Sequence, residues 1–132
     1  MPDIQKLSLA KYRLNRAKET CSTAYENLDS SKYLDANNRA YYSVFHAIRA
    51  VLALDGVDFK KHSGVMSYFR EKYIKTGIFE SIYSDIMAKA SLIRSKSDYE
   101  DFYVATKAEA KEQADNAKLF YEAVEKYLNL LD

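Results

Sequence analysis

The sequence predicts an all-α fold, an antiparallel up-and-down bundle of four long helices and one short helix, on three observations. Helix breakers are scarce: the 132 residues include one proline, at position 2, and three glycines, at 56, 64 and 77. Apolar residues recur at spacings of three and four over long stretches, and the connections between those stretches are short. A chain of this length is expected to form one domain over residues 1–132 and to bury roughly two thirds of the surface it exposes when unfolded.

The first helix begins at Ile4, with Pro2 compatible with a helix start, and its apolar stripe is Ile4, Leu7, Leu14, Ala17, Cys21, Ala24 and Leu28. Asp29-Ser30-Ser31 reads as turn and cap chemistry. A second helix runs from about Lys32 to Leu54, with a stripe of Tyr33, Ala40, Val44, Ala47, Val51 and Leu54, and closes at Asp55-Gly56. Residues 57–62 read as a loop. Val65, Phe69 and Tyr73 mark a short helix ending at Thr76-Gly77, where glycine accepts the left-handed cap conformation. Phe79, Ile82, Ile86, Ala90 and Ile93 mark a fourth helix that fades after Arg94. Thr106-Lys107-Ala108-Glu109 is a capping box opening the last helix, whose seam is Ala110, Ala114, Ala117, Tyr121, Val124, Leu128 and Leu131.

Twenty Lys and Arg against nineteen Asp and Glu leave a net charge of +1, so long-range attraction does not draw the domain to nucleic acid and any such contact needs a local patch. The single cysteine, Cys21, excludes an intrachain disulfide and a multi-thiolate zinc site, and its place on the first stripe reads as inert packing. Residues 1–6 lack the apolar core of a signal peptide, and no stretch reaches the roughly 18–20 apolar residues of a membrane span. A cytoplasmic protein without a membrane partner is the expectation. Twelve tyrosines in so small a bundle either edge its core or line an interface with a second copy.

Neither His46 nor His62 follows a Glu by three residues, so the sequence lacks the bundle di-iron pattern, and no metal or cofactor is expected. Phosphate-binding glycine loops and nucleophile-elbow motifs are missing from the sequence as well. What remains is polar. On the second helix Arg39 and His46 are seven residues apart and project from nearly one face, with Tyr42 between them. Asn38, Arg39, Tyr42 and His46 should therefore carry this helix's buried polar contacts; equally, they could simply tie helices together. At the end of the fourth helix, Arg94-Ser95-Lys96-Ser97-Asp98-Tyr99 combines cations, an acid and an aromatic ring. Arg94 could hold a phosphate and Tyr99 could stack a base, or Arg94 and Asp98 could form a local salt bridge. His62-Ser63-Gly64, opening the short helix, is a third candidate for anion binding, although Ser63 is also an ordinary cap residue.

Four segments in order carry a family resemblance: residues 38–50, from Asn38-Arg39-Ala40-Tyr41-Tyr42 through His46 to Ala50; Lys60-Lys61-His62-Ser63-Gly64-Val65; Tyr73-Ile74-Lys75-Thr76-Gly77; and Arg94 to Tyr99. Together they resemble the HEPN domain, more narrowly its small single-domain bacterial and archaeal branch, over about residues 3 to 130. The resemblance implies a helical bundle that commonly forms a homodimer and takes part in nucleotide or RNA transactions. Many members are metal-independent endoribonucleases acting as toxins or defence effectors, often encoded beside a minimal nucleotidyltransferase. Their signature is an Arg followed, after four to six residues, by a His. Arg94 matches the arginine, but Tyr99 stands where the histidine is expected, and no histidine follows His62.

Cleavage of RNA through its own 2′-hydroxyl needs a base, an acid and positive charge on the phosphorane; Arg94 supplies the last. A phenol, with an ordinary pKa of about 10, is a poor base at neutral pH. The resemblance therefore implies a nucleotide- or partner-binding module of a toxin–antitoxin or defence-type system, non-catalytic or weakly catalytic, with Arg39, Tyr42, His62, Asp98 and Tyr99 as binding residues. The alternative is a ribonuclease toxin that pairs Arg94 with His46 or His62.

Overall fold

A computed structural model describes residues 3–132, which contain five α-helices and no strand. They are α1 (Ile4–Asp29), α2 (Tyr33–Leu54), α3 (His62–Phe69), α4 (Ile82–Tyr99) and α5 (Lys107–Leu131), with a π-helical turn at Arg70–Ile74 extending α3. Pro2 lies outside the described residues. The first cap is Asp3, whose carboxylate accepts from the backbone N–H of Gln5 at 2.7 Å and of Lys6 at 3.3 Å.

Cross-helix bonds fix the directions. Arg13 Nη1 donates to the Arg49 carbonyl (3.0 Å) and Ser43 Oγ to the Ala17 carbonyl (2.7 Å), so partners descend α2 as they ascend α1. Lys11 pairs with Asp132 and Tyr25 with Asp115, which makes α5 antiparallel to α1. Asn37 bonds Ser97 and Tyr42 bonds Arg94, which makes α4 antiparallel to α2. Thus α1 and α4 run one way, α2 and α5 the other, as expected of an up-and-down bundle. Among the described residues no helix is long and apolar enough to cross a membrane.

Packing explains where the apolar pattern was incomplete. The stripe expected on α2 is narrower than the buried surface, which also takes in Ala36, Tyr41, Phe45, Ile48, Ala50, Leu52 and Ala53. The reason is position: α2 is central and meets α1, α3, α4 and α5. Buried small residues, Ala10, Ala17 and Ala24 on α1 and Ala40, Ser43, Ala47 and Ala50 on α2, bring the two backbones close enough for the Ser43 hydroxyl to reach a main-chain carbonyl. The opposite side of the core is aromatic. Phe69 lies 5.2 Å from Phe79 and 5.8 Å from Phe120 by ring centroids, and Tyr83 meets Phe120 edge-on at 5.5 Å.

Three local expectations are corrected. Asp29-Ser30-Ser31 does not cap α2; it ends α1. The Ser31 N–H reaches the Leu28 carbonyl and the Lys32 N–H the Asn27 carbonyl, a Schellman motif with Ser31 in the left-handed position at φ 61°. The short helix starts at His62, as the His62-Ser63-Gly64 reading placed it, but α4 starts later than Phe79, at Ile82, leaving the Phe79 ring buried in the connection with its backbone N–H donating to the Tyr73 carbonyl at 2.8 Å. Finally, α4 does not fade after Arg94 but continues through Tyr99, so Arg94 and Asp98 are one helical turn apart rather than in a loop.

Candidate functional site

The antiparallel pairing of α2 and α4 lays the last two turns of α4 across the polar side of α2. Arg94 Nη2 donates to the Tyr42 hydroxyl at 3.0 Å. The guanidinium carbon sits 5.0 Å from the ring centroid of Tyr41, 5.4 Å from that of Tyr42 and 5.8 Å from that of Tyr99, a cation held among three aromatic rings. Its Nε is 3.0 Å from Asp98 Oδ2, yet the N–H there finds no acceptor in hydrogen-bonding geometry, so this contact is an ion pair and not a hydrogen bond. The two side chains are 21% and 25% exposed, so the pair faces solvent along one edge.

From Asp98 the contacts return to α2. Asn38 Nδ2 donates to both Asp98 oxygens, at 3.1 and 3.3 Å, and Asn38 Oδ1 accepts from Arg39 Nη2 (2.7 Å) and Nε (3.2 Å). The Arg39 guanidinium closes the ring by lying 5.3 Å above Tyr42. Arg39, Tyr42, Arg94, Asp98 and Tyr99, singled out at two distant places in the sequence, are therefore one cluster. The buried polar residues of α2, however, are Asn37 and Ser43; Arg39, Tyr42 and His46 are only half-buried. Among the described residues Arg39 hydrogen-bonds only its neighbour Asn38.

The two histidines part company. His62, the first residue of α3, shares a 2.8 Å hydrogen bond from Nδ1 to the Tyr41 hydroxyl, packs on Phe45 at 4.1 Å between ring centroids and meets Tyr42 edge-on at 5.9 Å. Burial, then the charges of Arg94 and Arg49, pull its pKa below the ordinary value and favour neutral imidazole. His62 and Arg94 thus pack on the same two tyrosines. His46 is 6.3 Å from Tyr42; burial, then the charges of Arg16, Arg49, Arg39 and Arg13, push it down to about 4. Arg13 and Arg49 share Asp58, at 3.6 and 2.7 Å, and the hydrogen bond from Arg49 holds that carboxyl below its usual range.

Cys21 behaves as the stripe implied. It is buried, its thiol donates weakly to the Ala114 carbonyl at 3.6 Å, and burial pushes it up to about 11, which keeps it protonated and unreactive. Among the described residues no three His, Cys, Asp or Glu side chains gather as metal ligands.

Sequence reasoning missed a second knot beneath the cluster. Buried Asn37 donates through Nδ2 to Ser97 Oγ and to Glu109 Oε1, both at 3.1 Å, and Glu109 Oε2 accepts a short hydrogen bond from the Tyr103 hydroxyl. Burial, then that bond, push the Tyr103 phenol up to about 12. A signal was available: Asn37 occupies the apolar phase of α2 defined by Tyr41, Val44, Ile48 and Val51, where a polar side chain must find partners.

The family model of the HEPN domain matches residues 10–127. A UPF0332 protein of Pyrococcus horikoshii is 41% identical over 80 residues, 61% of this chain and 53% of that protein, so the chain spans about half of that relative. A protein of Methanocaldococcus jannaschii named "Putative toxin" is 34% identical over 112 residues, covering 85% of this chain and 83% of the relative. A UPF0332 protein of Thermotoga maritima is 28% identical over 124 residues, 94% of each chain. The helical bundle, the family match across most of its length and these relatives agree: the chain belongs to the HEPN domain family.

Proposed function

We propose that this protein is a toxin-type HEPN protein of a toxin–antitoxin or defence system, and that the Arg94 cluster is where it binds a phosphate-bearing ligand, a nucleotide or RNA. A second copy of the chain and a minimal nucleotidyltransferase are its proposed protein partners. The toxin part of this reading is supported by the names of its M. jannaschii relatives. The binding part is carried by one observation: Arg94 is held by Tyr42 and flanked by three tyrosine rings at an edge open to solvent. Its guanidinium has five donors, of which the structure uses one in a hydrogen bond, and the planar fork suits a phosphate. Tyr99, 70% exposed, offers a stacking face and a hydroxyl beside it, to contact a base or, on losing its proton, to attack the α-phosphorus of a nucleoside triphosphate held by the partner enzyme with release of pyrophosphate.

The experiment is titration of the protein with AMP and with a short single-stranded RNA by calorimetry, on wild type, Arg94→Ala and Tyr99→Ala. Arg94→Ala should weaken binding at least tenfold, as loss of a charge-assisted contact worth about 1.5–3 kcal/mol does, with a melting temperature within a few degrees of wild type. Unchanged binding in that variant overturns the reading.

Ribonuclease activity is the second reading, and His62 favours it. A neutral imidazole packed on the same tyrosines as Arg94 is suited to take the 2′-hydroxyl proton as the 2′-oxygen attacks phosphorus, Arg94 stabilises the phosphorane, and the imidazolium or water protonates the 5′-oxygen as its bond to phosphorus breaks. His46, 6.3 Å from Tyr42 between ring centroids, is the other candidate for that role. Metal-free cleavage of total RNA by wild type that is lost in both Arg94→Ala and His62→Ala, and retained in His46→Ala, would establish this reading over the first.

A further inference from the structure

The part of α4 that carries the cluster has no apolar anchor. Its buried residues are Ile86, Met87, Ala90 and Ile93, and none of the six residues from Arg94 to Tyr99 is buried. Beyond it the connection to α5 is more exposed still, with Phe102 at 96% and Val104 at 79%. Polar contacts and the stacking of Arg94 on tyrosine rings therefore fix where Arg94 and Asp98 stand, and the deepest of the polar contacts belong to Asn37 and Glu109.

Glu109 is in an unusual position for a capping-box residue. Its backbone N–H donates to Thr106 Oγ1 at 3.1 Å, as the box requires, but its carboxylate does not turn back to close the box. It reaches inward instead, one oxygen on Asn37 and the other on Tyr103. A carboxylate only accepts, so it compels Asn37 to present its NH2, which then also serves Ser97 of α4. The consequence is visible at the other end of the amide, where Asn37 Oδ1 is buried without a partner. An orphaned buried acceptor is destabilising and is retained where the orientation it accompanies matters.

We infer that Glu109, acting through Asn37 and Tyr103, is a positioning residue that latches the C-terminal end of α4 and the 100–106 connection onto the bundle, and so holds the Arg94 cluster in register with α2. Ser97 lies one turn before the connection and three residues after Arg94, so a latch there sets the axial placement of the whole polar end. The link between this latch and ligand binding rests on the function proposed above; the latch itself does not.

Hydrogen–deuterium exchange read by mass spectrometry on wild type, Glu109→Ala, Glu109→Gln and Tyr103→Phe tests it. In Glu109→Ala, exchange over residues 94–106 should rise about tenfold while the protected middle of α1 and α2 stays within about twofold of wild type. Glu109→Gln, whose amide oxygen still accepts from Asn37, should recover much of the protection over residues 94–99. Tyr103→Phe, the mildest change, should speed exchange in the 100–106 connection. A purely structural Glu109 would lower global stability and speed exchange in every helix alike; that uniform pattern, or no change over 94–106, overturns the latch. AMP titrations separate the two ideas. Wild type that fails to bind AMP, with local exchange raised in Glu109→Ala, overturns the ligand reading and leaves the latch standing. Binding by wild type with unaltered exchange in Glu109→Ala does the opposite.

Discussion

Two single residues carry clear energetic signatures. His46 keeps a folded-state pKa of about 4 against an ordinary 6.5, because burial and four guanidiniums disfavour its charged form. Above pH 6.5 both folded and unfolded chains hold it neutral and its contribution is complete; as pH falls from 6.5 towards 4 the unfolded chain takes up a proton that the folded chain refuses, and stability drops. His46 is only partly buried, so solvent screening reduces the effect to about 1–2 kcal/mol. His46→Gln should flatten the fall in melting temperature across that window relative to wild type; parallel curves would refute the assignment. Ser31 is the second residue, the lone non-glycine at positive φ among the described positions. A left-handed L-residue costs about 1–2 kcal/mol, partly offset by the chain entropy that glycine loses on folding. Ser31→Gly should accordingly raise stability by about 0.5 kcal/mol in urea denaturation.

At the scale of elements, the small-residue seam between α1 and α2 is the tightest constraint. Ala17 is fully buried and its carbonyl is bonded by Ser43, so a larger side chain has nowhere to go without parting the helices. Ala17→Leu should cost about 2–3 kcal/mol or more, seen as a lower denaturation midpoint, whereas Leu at exposed Ser22 should be nearly neutral. The helices themselves were legible because 3.6-residue periodicity follows from which face is dry, and α1, α2 and α5 have long dry faces. Their ends were not. Whether Asp29-Ser30-Ser31 finishes one helix or starts the next depends on which carbonyls the turn's N–H groups reach, and whether α4 stops at Arg94 depends on Asn37 and Asn38 waiting across the gap. Likewise the Arg94 motif was readable as residue types, but the contacts that join it to Asn38 and Tyr42 required the antiparallel pairing. Glu109 was read as a cap because local spacing says nothing of partners 72 residues away.

For the whole molecule, six of the twelve tyrosines have their hydroxyls hydrogen-bonded. Tyr68 and Tyr73 both donate to Asp55, Tyr25 to Asp115 and Tyr103 to Glu109. Tyr99, Phe102 and Val104 are exposed, so apolar surface remains at the end of the bundle that carries the Arg94 cluster. Dimerisation through this end is the expectation, with at least about 1,000 Å² buried in total. Sedimentation equilibrium at micromolar concentration should return twice the 15.2 kDa chain mass, and Phe102→Asp should halve it; a wild-type monomer would sink this expectation.

The turn between α1 and α2 has a consequence for how the chain reaches its native state. Only three residues, Ser30 to Lys32, separate the two helices that share the tightest interface, so closing that hairpin costs little loop entropy. Contacts between near neighbours in sequence form early, and the α1–α2 pair is then the natural nucleus onto which α5 docks, while the polar end of α4 assembles last. Mutations should divide on kinetic lines. Ala17→Gly, inside the hairpin, should chiefly slow refolding, and Ser97→Ala, at the late end, should chiefly speed unfolding, a contrast that the two arms of a stopped-flow chevron would read directly.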